Sequence, residues 1–281
     1  MTKRSDHRGA TVLVRGIGDI GSAVAISLLR AGHCVAIHDG PAPAAHRRGM
    51  AFADAVFDGE AALDGIVAKR FDAVDAFAEA LGNCEWLPIT ALPFTNILSA
   101  VDWAVLVDAR LRKRNHPECQ IGLAPLTIGL GPNFIAGENV DLAIETSWGD
   151  DLGAVITSGS TLALAGEPRQ IAGIGRERFI YAPVAGPFGT AARIGDTVVA
   201  GEPIADIGAV TLVAPFPGII RGLTRSGVPV SIATKVIEID PRGDPASAFG
   251  VGERPKRIAE GVRAAIAAHR TTSDRTNHDI D

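Results

Sequence analysis

Six residues, Gly16-Ile17-Gly18-Asp19-Ile20-Gly21, restrict the start of this chain more than any other feature. A β-branched run, Thr11-Val12-Leu13-Val14, leads into the glycines, and Ile20 to Leu29 then place apolar residues at helical spacing up to Ala31-Gly32, a C-cap signal. The order is strand, turn, helix. Gly16 suits a tight turn, Gly18 lets the backbone approach a phosphate, and Gly21 lets the helix pack close to the strand. The helix N-terminus then offers N–H groups to an anion.

A second strand, Cys34 to His38, ends at Asp39, about twenty residues past the turn, where a carboxylate can accept from ribose hydroxyls. Asp39 also opens the turn Asp39-Gly40-Pro41, and both readings stay open. Asp19 would repel a pyrophosphate unless it caps the helix or a cation intervenes. His46-Arg47-Arg48 offers compensating charge or forms a solvated loop. Strand patterns recur at Gly65–Ala68, Trp86–Ile89, Trp103–Val107, Leu126–Gly129 and Leu142–Glu145, with a helix from near Asp72 to Leu81-Gly82. This alternation predicts an α/β fold: a Rossmann-like, mainly parallel sheet over residues 9–155, binding a nucleotide at the carboxyl edge. Polar groups cluster at that edge: Asp108 with Lys113 and Asn115, then Gly129, Gly131 and Pro132, then Glu145. The candidate binding set is therefore Gly16, Gly18, Asp19, Gly21, Asp39, Arg47, Arg48, Gly129, Gly131 and Pro132. The candidate catalytic set is Asp108, Lys113, Asn115 and Glu145.

Beyond a connector at 156–181, residues 182–207 align with 214–239 without a gap, at a constant offset of 32. Ala182-Pro183 meets Ala214-Pro215, Gly186 meets Gly218, Val198 meets Val230 and Ile207 meets Ile239. Two such copies predict a small β barrel-sandwich over 182–240 resembling biotinyl and lipoyl carrier domains. Those carriers hold a modified lysine on the hairpin between the halves. Here the hairpin Asp206–Thr211 contains none and Lys235 lies inside the second copy, so neither biotin nor lipoate is expected. A C-terminal helix is predicted over 253–270, and the polar tail 271–281 reads as disordered.

A net charge of -5 without a basic, aromatic-interleaved stretch argues against nucleic acid. No apolar run reaches the roughly 18 residues of a membrane span. The polar segment Met1–Arg8 does not read as a signal peptide, and Cys34, Cys84 and Cys119 show no metal or disulfide spacing. These features point to a cytoplasmic protein whose partners are a small phosphate-bearing ligand and other proteins, with the oligomeric state left open.

Several blocks occur in one order: Arg15-Gly16-x-Gly18-Asp19, Ala51–Gly59, Val107-Asp108-Ala109-Arg110 with Lys113-Arg114-Asn115, Ile128–Gly137 with its Leu-Gly-Pro core, Glu145-Thr146, and Ile239-Asp240-Pro241-Arg242. Together they resemble the YqeB-type accessory family associated with maturation of selenium-dependent molybdenum hydroxylases. The resemblance, over roughly residues 11–265, implies a maturation or cofactor-insertion role toward a xanthine dehydrogenase-like client molybdenum enzyme, with a nucleotide or molybdopterin-type ligand. The chain departs from the family pattern at Trp148-Gly149-Asp150, where Arg-Gly-His is expected, and carries no selenocysteine. Two alternatives stand beside this role. One is an NAD(P)-dependent oxidoreductase using Lys113, Asn115 and Glu145, disfavoured by the missing His or Tyr acid. The other is a non-enzymatic ligand-sensing and partner-binding module.

Overall fold

A computed structural model describes residues 9–83, 85–112, 116–163 and 168–278. The chain opens with strand β1 (Thr11–Arg15), helix α1 (Asp19–Arg30) and strand β2 (Cys34–His38). Gly32, at φ +84°, ends α1 in a Schellman arrangement: its N–H donates to Leu29 O and that of His33 to Leu28 O. A 3-10 turn at Arg48–Met50 and the short helix α2 (Ala55–Asp58) lead into a hairpin of β3 (Glu60–Leu63) and β4 (Ile66–Arg70). Then come α3 (Val74–Asn83), β5 (Leu87–Thr90), α4 (Phe94–Ala100) and β6 (Val105–Asp108). From there the alternation lapses: β7 (Leu126–Leu130), β8 (Ile135–Ala136), β9 (Leu142–Ile144), β10 (Val155–Ile156) and β11 (Gly159–Ser160) follow with no helix between them among the described residues.

Nine of these strands form one sheet in the order β10-β9-β7-β6-β1-β2-β5-β4-β3. β1 shows how it is covered. Val12 and Val14 face α1, while Leu13, one residue out of phase, joins Phe77, Leu81, Ile97 and Trp103 on the α3/α4 side. The first face is completed from the far end of the sequence by α5 (Glu253–His278), whose Ile258, Val262 and Ile266 are buried with Val24 and Leu28 of α1. Each such side chain contributes roughly 1.5–3 kcal/mol by leaving water. The close approach of α5 depends on Gly261, where a Cβ would fall 2.1 Å from Gly153 O.

The remaining strands are β12 (Phe179–Tyr181), β13 (Gly186–Gly189), β14 (Thr197–Val198), β15 (Pro203–Ile207), β16 (Val210–Val213), β17 (Gly218–Leu223), β18 (Pro229–Val230) and β19 (Lys235–Asp240). They form two four-stranded antiparallel sheets, β12-β19-β17-β14 and β16-β15-β13-β18. The 32-residue offset maps β13–β15 onto β17–β19, and the copies pair crosswise: Gly186 with Val230, and Gly218 with Val198.

The expected fold class, a Rossmann-like mainly parallel sheet followed by a biotinyl/lipoyl-like barrel-sandwich, is corrected by these sheets. The large sheet is mixed. β3 pairs antiparallel with β4 through a turn at Asp64-Gly65, both at positive φ, and β10 pairs antiparallel with β9. Short turns of this kind reverse the chain, whereas a parallel neighbour needs a crossover of a dozen or more residues. The antiparallel half is not a carrier-like barrel standing apart. β12, from the expected connector, pairs with β19. Leu223 N donates to His46 O at 2.6 Å, Arg48 Nε donates to Leu223 O at 2.8 Å, and Arg225 pairs with Asp58. Phe57 packs against both cores. The C-terminal helix also runs on to His278, past the start of the expected tail at 271.

Candidate ligand-binding cleft

The glycine turn sits between β1 and α1 as its spacing predicts, and each glycine has a distinct reason. Gly16, at φ +109°, carries a position where a Cβ would lie 2.9 Å from the Ala109 carbonyl. A Cβ on Gly21 would fall 1.9 Å from Gly16 O, so the helix can rest on the turn only without one. Gly18 faces open space. Three amides of the turn are already engaged, the first being that of Gly16, which donates to His38 O at 2.9 Å. Ile17 N donates to Asp39 Oδ2 at 2.7 Å, and Ile20 N donates to Asp19 Oδ1 at 3.1 Å.

Beside the turn a cleft of about 930 Å³ opens between the α1 N-terminus, the first turn of α5 and the β12-β19-β17-β14 sheet. Its walls carry Arg47, Arg169, Arg178, Arg221, Lys235, Arg242 and Arg254 against Asp19 and Glu253. Glu238 and Asp240 stand directly behind these cations and are fully buried. Seven cations against four carboxylates leave a surplus of three positive charges.

Glu238 organises the centre. Two residues apart on β19, Glu238 and Asp240 are directed alike. Arg47 donates to Glu238 from Nε at 2.7 Å and from Nη2 at 3.2 Å, and Arg178 donates from Nη1 at 2.5 Å. Arg221, on the neighbouring β17, places Nη1 3.7 Å from both Glu238 and Asp240. Burial works against the charge on Glu238, but the Arg47 guanidinium overrides it and holds the carboxyl below the usual carboxylate range. The same contest has the same outcome at Asp19, 2.9 Å from Arg47 Nη1. Asp19 thus receives a cation rather than capping the helix, whose N-cap is Gly18 with no side-chain bond. An ionic chain therefore runs from α1 through Arg47 to β19.

His46 lies in this chain. Its Nε2 is 3.9 Å from Glu238 and has no hydrogen-bond partner among the described residues, and its Cδ2 occupies space left by Gly222, where a Cβ would come within 2.7 Å. Burial and then the Arg47 charge push its pKa down to about 3, against the pull of Glu238, so it is neutral at ordinary pH.

Of the binding residues expected from sequence, Asp19, Arg47 and Pro132 line the cleft. Gly16, Gly18 and Gly21 shape the adjoining turn. Asp39 engages Ile17 N and Gly40 N, both at 2.7 Å, instead of facing the cleft. Arg48 is held bidentately by its Nη1 to Asp54 at 2.8 Å and supports the junction of the two halves. Gly129 makes room for the Phe134 ring, and Gly131, at φ +98°, passes close to Leu111.

The candidate catalytic residues are not gathered into one constellation. Asp108, at 1% exposure, is taken up by Arg110 and Gln120. Glu145 accepts from the amides of Thr146, Ser147 and Leu162 at 2.6–2.7 Å, fixing a loop. Lys113 and Asn115 lie outside the described residues. Among the described residues no cluster of three His, Cys, Asp or Glu is placed to hold a metal ion, and no helix is long and apolar enough to cross a membrane.

Arg178, Arg221, Arg254 and Glu238 are not among the site residues expected from sequence, and Arg242 enters there only through the Ile239–Arg242 block. One signal pointed to them. Val236-Ile237-Glu238-Ile239-Asp240 places two acids in an otherwise apolar strand, and buried carboxylates require counter-cations from elsewhere.

The chain is similar to the uncharacterized protein YqeB of Escherichia coli (strain K12), 38% identical over 255 residues, which cover 91% of this chain and 47% of that protein. It thus spans about half the length of that curated relative, and the match supports the YqeB-type resemblance carried by the motif blocks. No family model matches the chain. Among solved structures, a succinylglutamate desuccinylase from Silicibacter sp. TM1040 aligns at 12% identity and TM-score 0.25, covering 83% of this chain and 85% of that one. A succinylglutamate desuccinylase/aspartoacylase from Rhodobacter sphaeroides aligns at 15% identity and TM-score 0.24, covering 83% and 86%. Both likenesses are too distant to set a fold or an activity.

Proposed function

We propose that this chain binds a small phosphate-bearing molecule, a nucleotide or molybdopterin-type ligand, in the cleft beside the glycine turn. The proposal extends to an accessory role in maturation of a molybdenum hydroxylase of the xanthine dehydrogenase kind, the role implied by the YqeB-type resemblance. The observation that carries the binding reading is the surplus of positive charge in a cleft of ligand size. Guanidinium forks match phosphate oxygens in pairs, and in a half-buried cleft such contacts are weakly screened.

Binding is favoured over turnover. Asp108 and Glu145 already spend their oxygens on arginine, glutamine and backbone donors, so neither is poised to move a proton. Mass spectrometry of whatever the purified chain releases on denaturation tests the binding role, with a stoichiometric phosphate compound as the expected result. Release of nothing, together with no calorimetric response to any nucleotide, overturns it. The maturation role is tested separately by deleting the gene. Molybdenum hydroxylases that keep full activity in the deletion strain refute that role and leave the binding reading standing.

A further inference from the structure

The cations of the cleft are unequally committed. Arg47 uses Nε, Nη1 and Nη2 on Glu238 and Asp19. Arg178 bonds Glu238 and two backbone carbonyls, and Arg242 grips Asp240 through Nε at 2.9 Å and Nη2 at 2.6 Å. Two guanidiniums differ. Arg221 holds its carboxylates only at 3.7 Å, beyond hydrogen-bond reach, and its buried Nε has no acceptor among the described residues. Arg254, in the first turn of α5, donates from Nε to Thr146 O at 2.7 Å, and among the described residues Asp19 and Glu145 act on its charge only from beyond ion-pair distance.

Both carry an electrostatic cost in this state. Burial, and then the Arg47 charge, weaken the protonated form of Arg221 against the pull of Glu238 and Asp240. Burial does the same at Arg254, where Asp19 and Glu145 oppose the effect and Arg47 adds to it. An anion relieves each, because a buried charge without a full partner is unfavourable. The two stand on different walls, Arg221 on the antiparallel sheet and Arg254 on the helix packed against α1, so they present two forks to one cleft.

We propose that the ligand of this cleft carries two linked phosphates, one gripped by the fork of Arg221 and the other by that of Arg254. The inference rests on the phosphate-binding reading above and narrows it to diphosphate compounds. Charge supports it. A terminal phosphate carries about -1.5 to -2 at pH 7 and a linked second phosphate adds about one more, while a diphosphate that bridges two nucleosides carries about -2; both are matched by a surplus of three positive charges. Size supports it too. A volume of about 930 Å³ lies near the upper end of ordinary ligand sites, roughly 300–1,000 Å³, and exceeds the needs of a lone phosphate. Nucleoside diphosphates and dinucleotides share this chemistry, and the probes below separate them.

Isothermal titration of the full chain, in phosphate-free buffer at fixed ionic strength, uses inorganic phosphate, pyrophosphate, AMP, ADP and NADH. Pyrophosphate and ADP are expected to bind at least tenfold more tightly than phosphate and AMP. A tighter NADH arm assigns a dinucleotide and a weaker one a nucleoside diphosphate. Arg221→Gln and Arg254→Gln should each weaken ADP at least tenfold while melting, without ligand, no lower than the parent, because each removes an underpaired buried cation. If either fails to fold, Arg221→Lys and Arg254→Lys keep the charge, remove the fork and are expected to show the same loss. Equal affinities for AMP and ADP, or lysine variants that bind ADP like the parent, overturn the diphosphate inference and leave the phosphate reading intact. Silence from every probe, with no phosphate compound released on denaturation, overturns both.

Discussion

His46 makes the stability of this protein depend on pH in a window that few other groups share. Its pKa is 6.5 in the unfolded chain and about 3 in the fold, where burial, Arg47 and Lys235 outweigh Glu238 and Asp19. A histidine with a lowered folded pKa binds its proton in the unfolded state first, so stability falls as pH drops below 6.5 and the loss saturates near 3. Between pH 8 and pH 5 this linkage amounts to about 2 kcal/mol, at 1.36 kcal/mol per unit. The carboxylates act lower. Glu238, Asp19, Asp108 and Asp240 are all held below their usual values, so their contribution is present above pH 4.5 and is lost only as pH falls further. His33 and His38 are also lowered, by burial first, and they add to the loss in both proteins compared. His46→Gln removes the titrating ring and keeps the backbone carbonyl that accepts from Leu223 N. Denaturant unfolding at pH 8 and pH 5 should show the parent losing about 2 kcal/mol more than the variant, or about 4–8 °C in Tm at the usual scaling. Parallel pH profiles for the two proteins would refute the placement of a neutral His46 among these charges.

Three further substitutions probe the same region. Glu238→Gln strands Arg47 and Arg178 without their shared carboxylate and should cost about 3–5 kcal/mol by denaturant midpoint, the usual penalty for breaking a buried pair from one side. Gly222→Ala places a Cβ 2.7 Å from His46 Cδ2 and 3.1 Å from Glu238 Cβ, and should destabilise by about 1–3 kcal/mol through overpacking; a Tm equal to the parent's would show that the His46 loop yields freely. Gly21→Ala drives a Cβ into Gly16 O, so the turn must shift, and calorimetric affinity for any phosphate ligand should fall together with Tm.

Much of the α/β half was legible because its signals are local. Val12, Leu13 and Val14 alternate between two cores, Gly32 closes α1, and Phe77 and Leu81 fix the buried face of α3, all within short windows of sequence. The edges of the sheet were not. Glu60-Ala61-Ala62-Leu63 has little β-propensity and is a strand because β4 folds back on it, and Val155-Ile156 is too short to carry a period. Asp108 and Glu145 misled in another way. An acid after a strand reads equally as a proton carrier or as a hydrogen-bond acceptor, and only the three amides converging on Glu145 decide between the two. The partners of Arg47 were out of reach for a sequence reading, since Glu238 lies 191 residues away.

That distance changes what the glycine turn does. A bare turn at a helix N-terminus binds anions through free amides, but here Asp39 takes the amide of Ile17, and Asp19 takes that of Ile20 and puts a carboxylate beside the helix end. With those donors engaged, the proposed attraction for phosphate falls mainly to side chains, and Arg47 is the pivot because it neutralises Asp19 and Glu238 at once. The two underpaired guanidiniums then come from β17 and α5, elements that the glycine motif does not predict. The turn therefore shapes one wall of the cleft, while in the proposed diphosphate site selectivity falls to Arg221 and Arg254. Variants of these two arginines should change which ligand binds, whereas variants of the glycines should change whether the cleft forms.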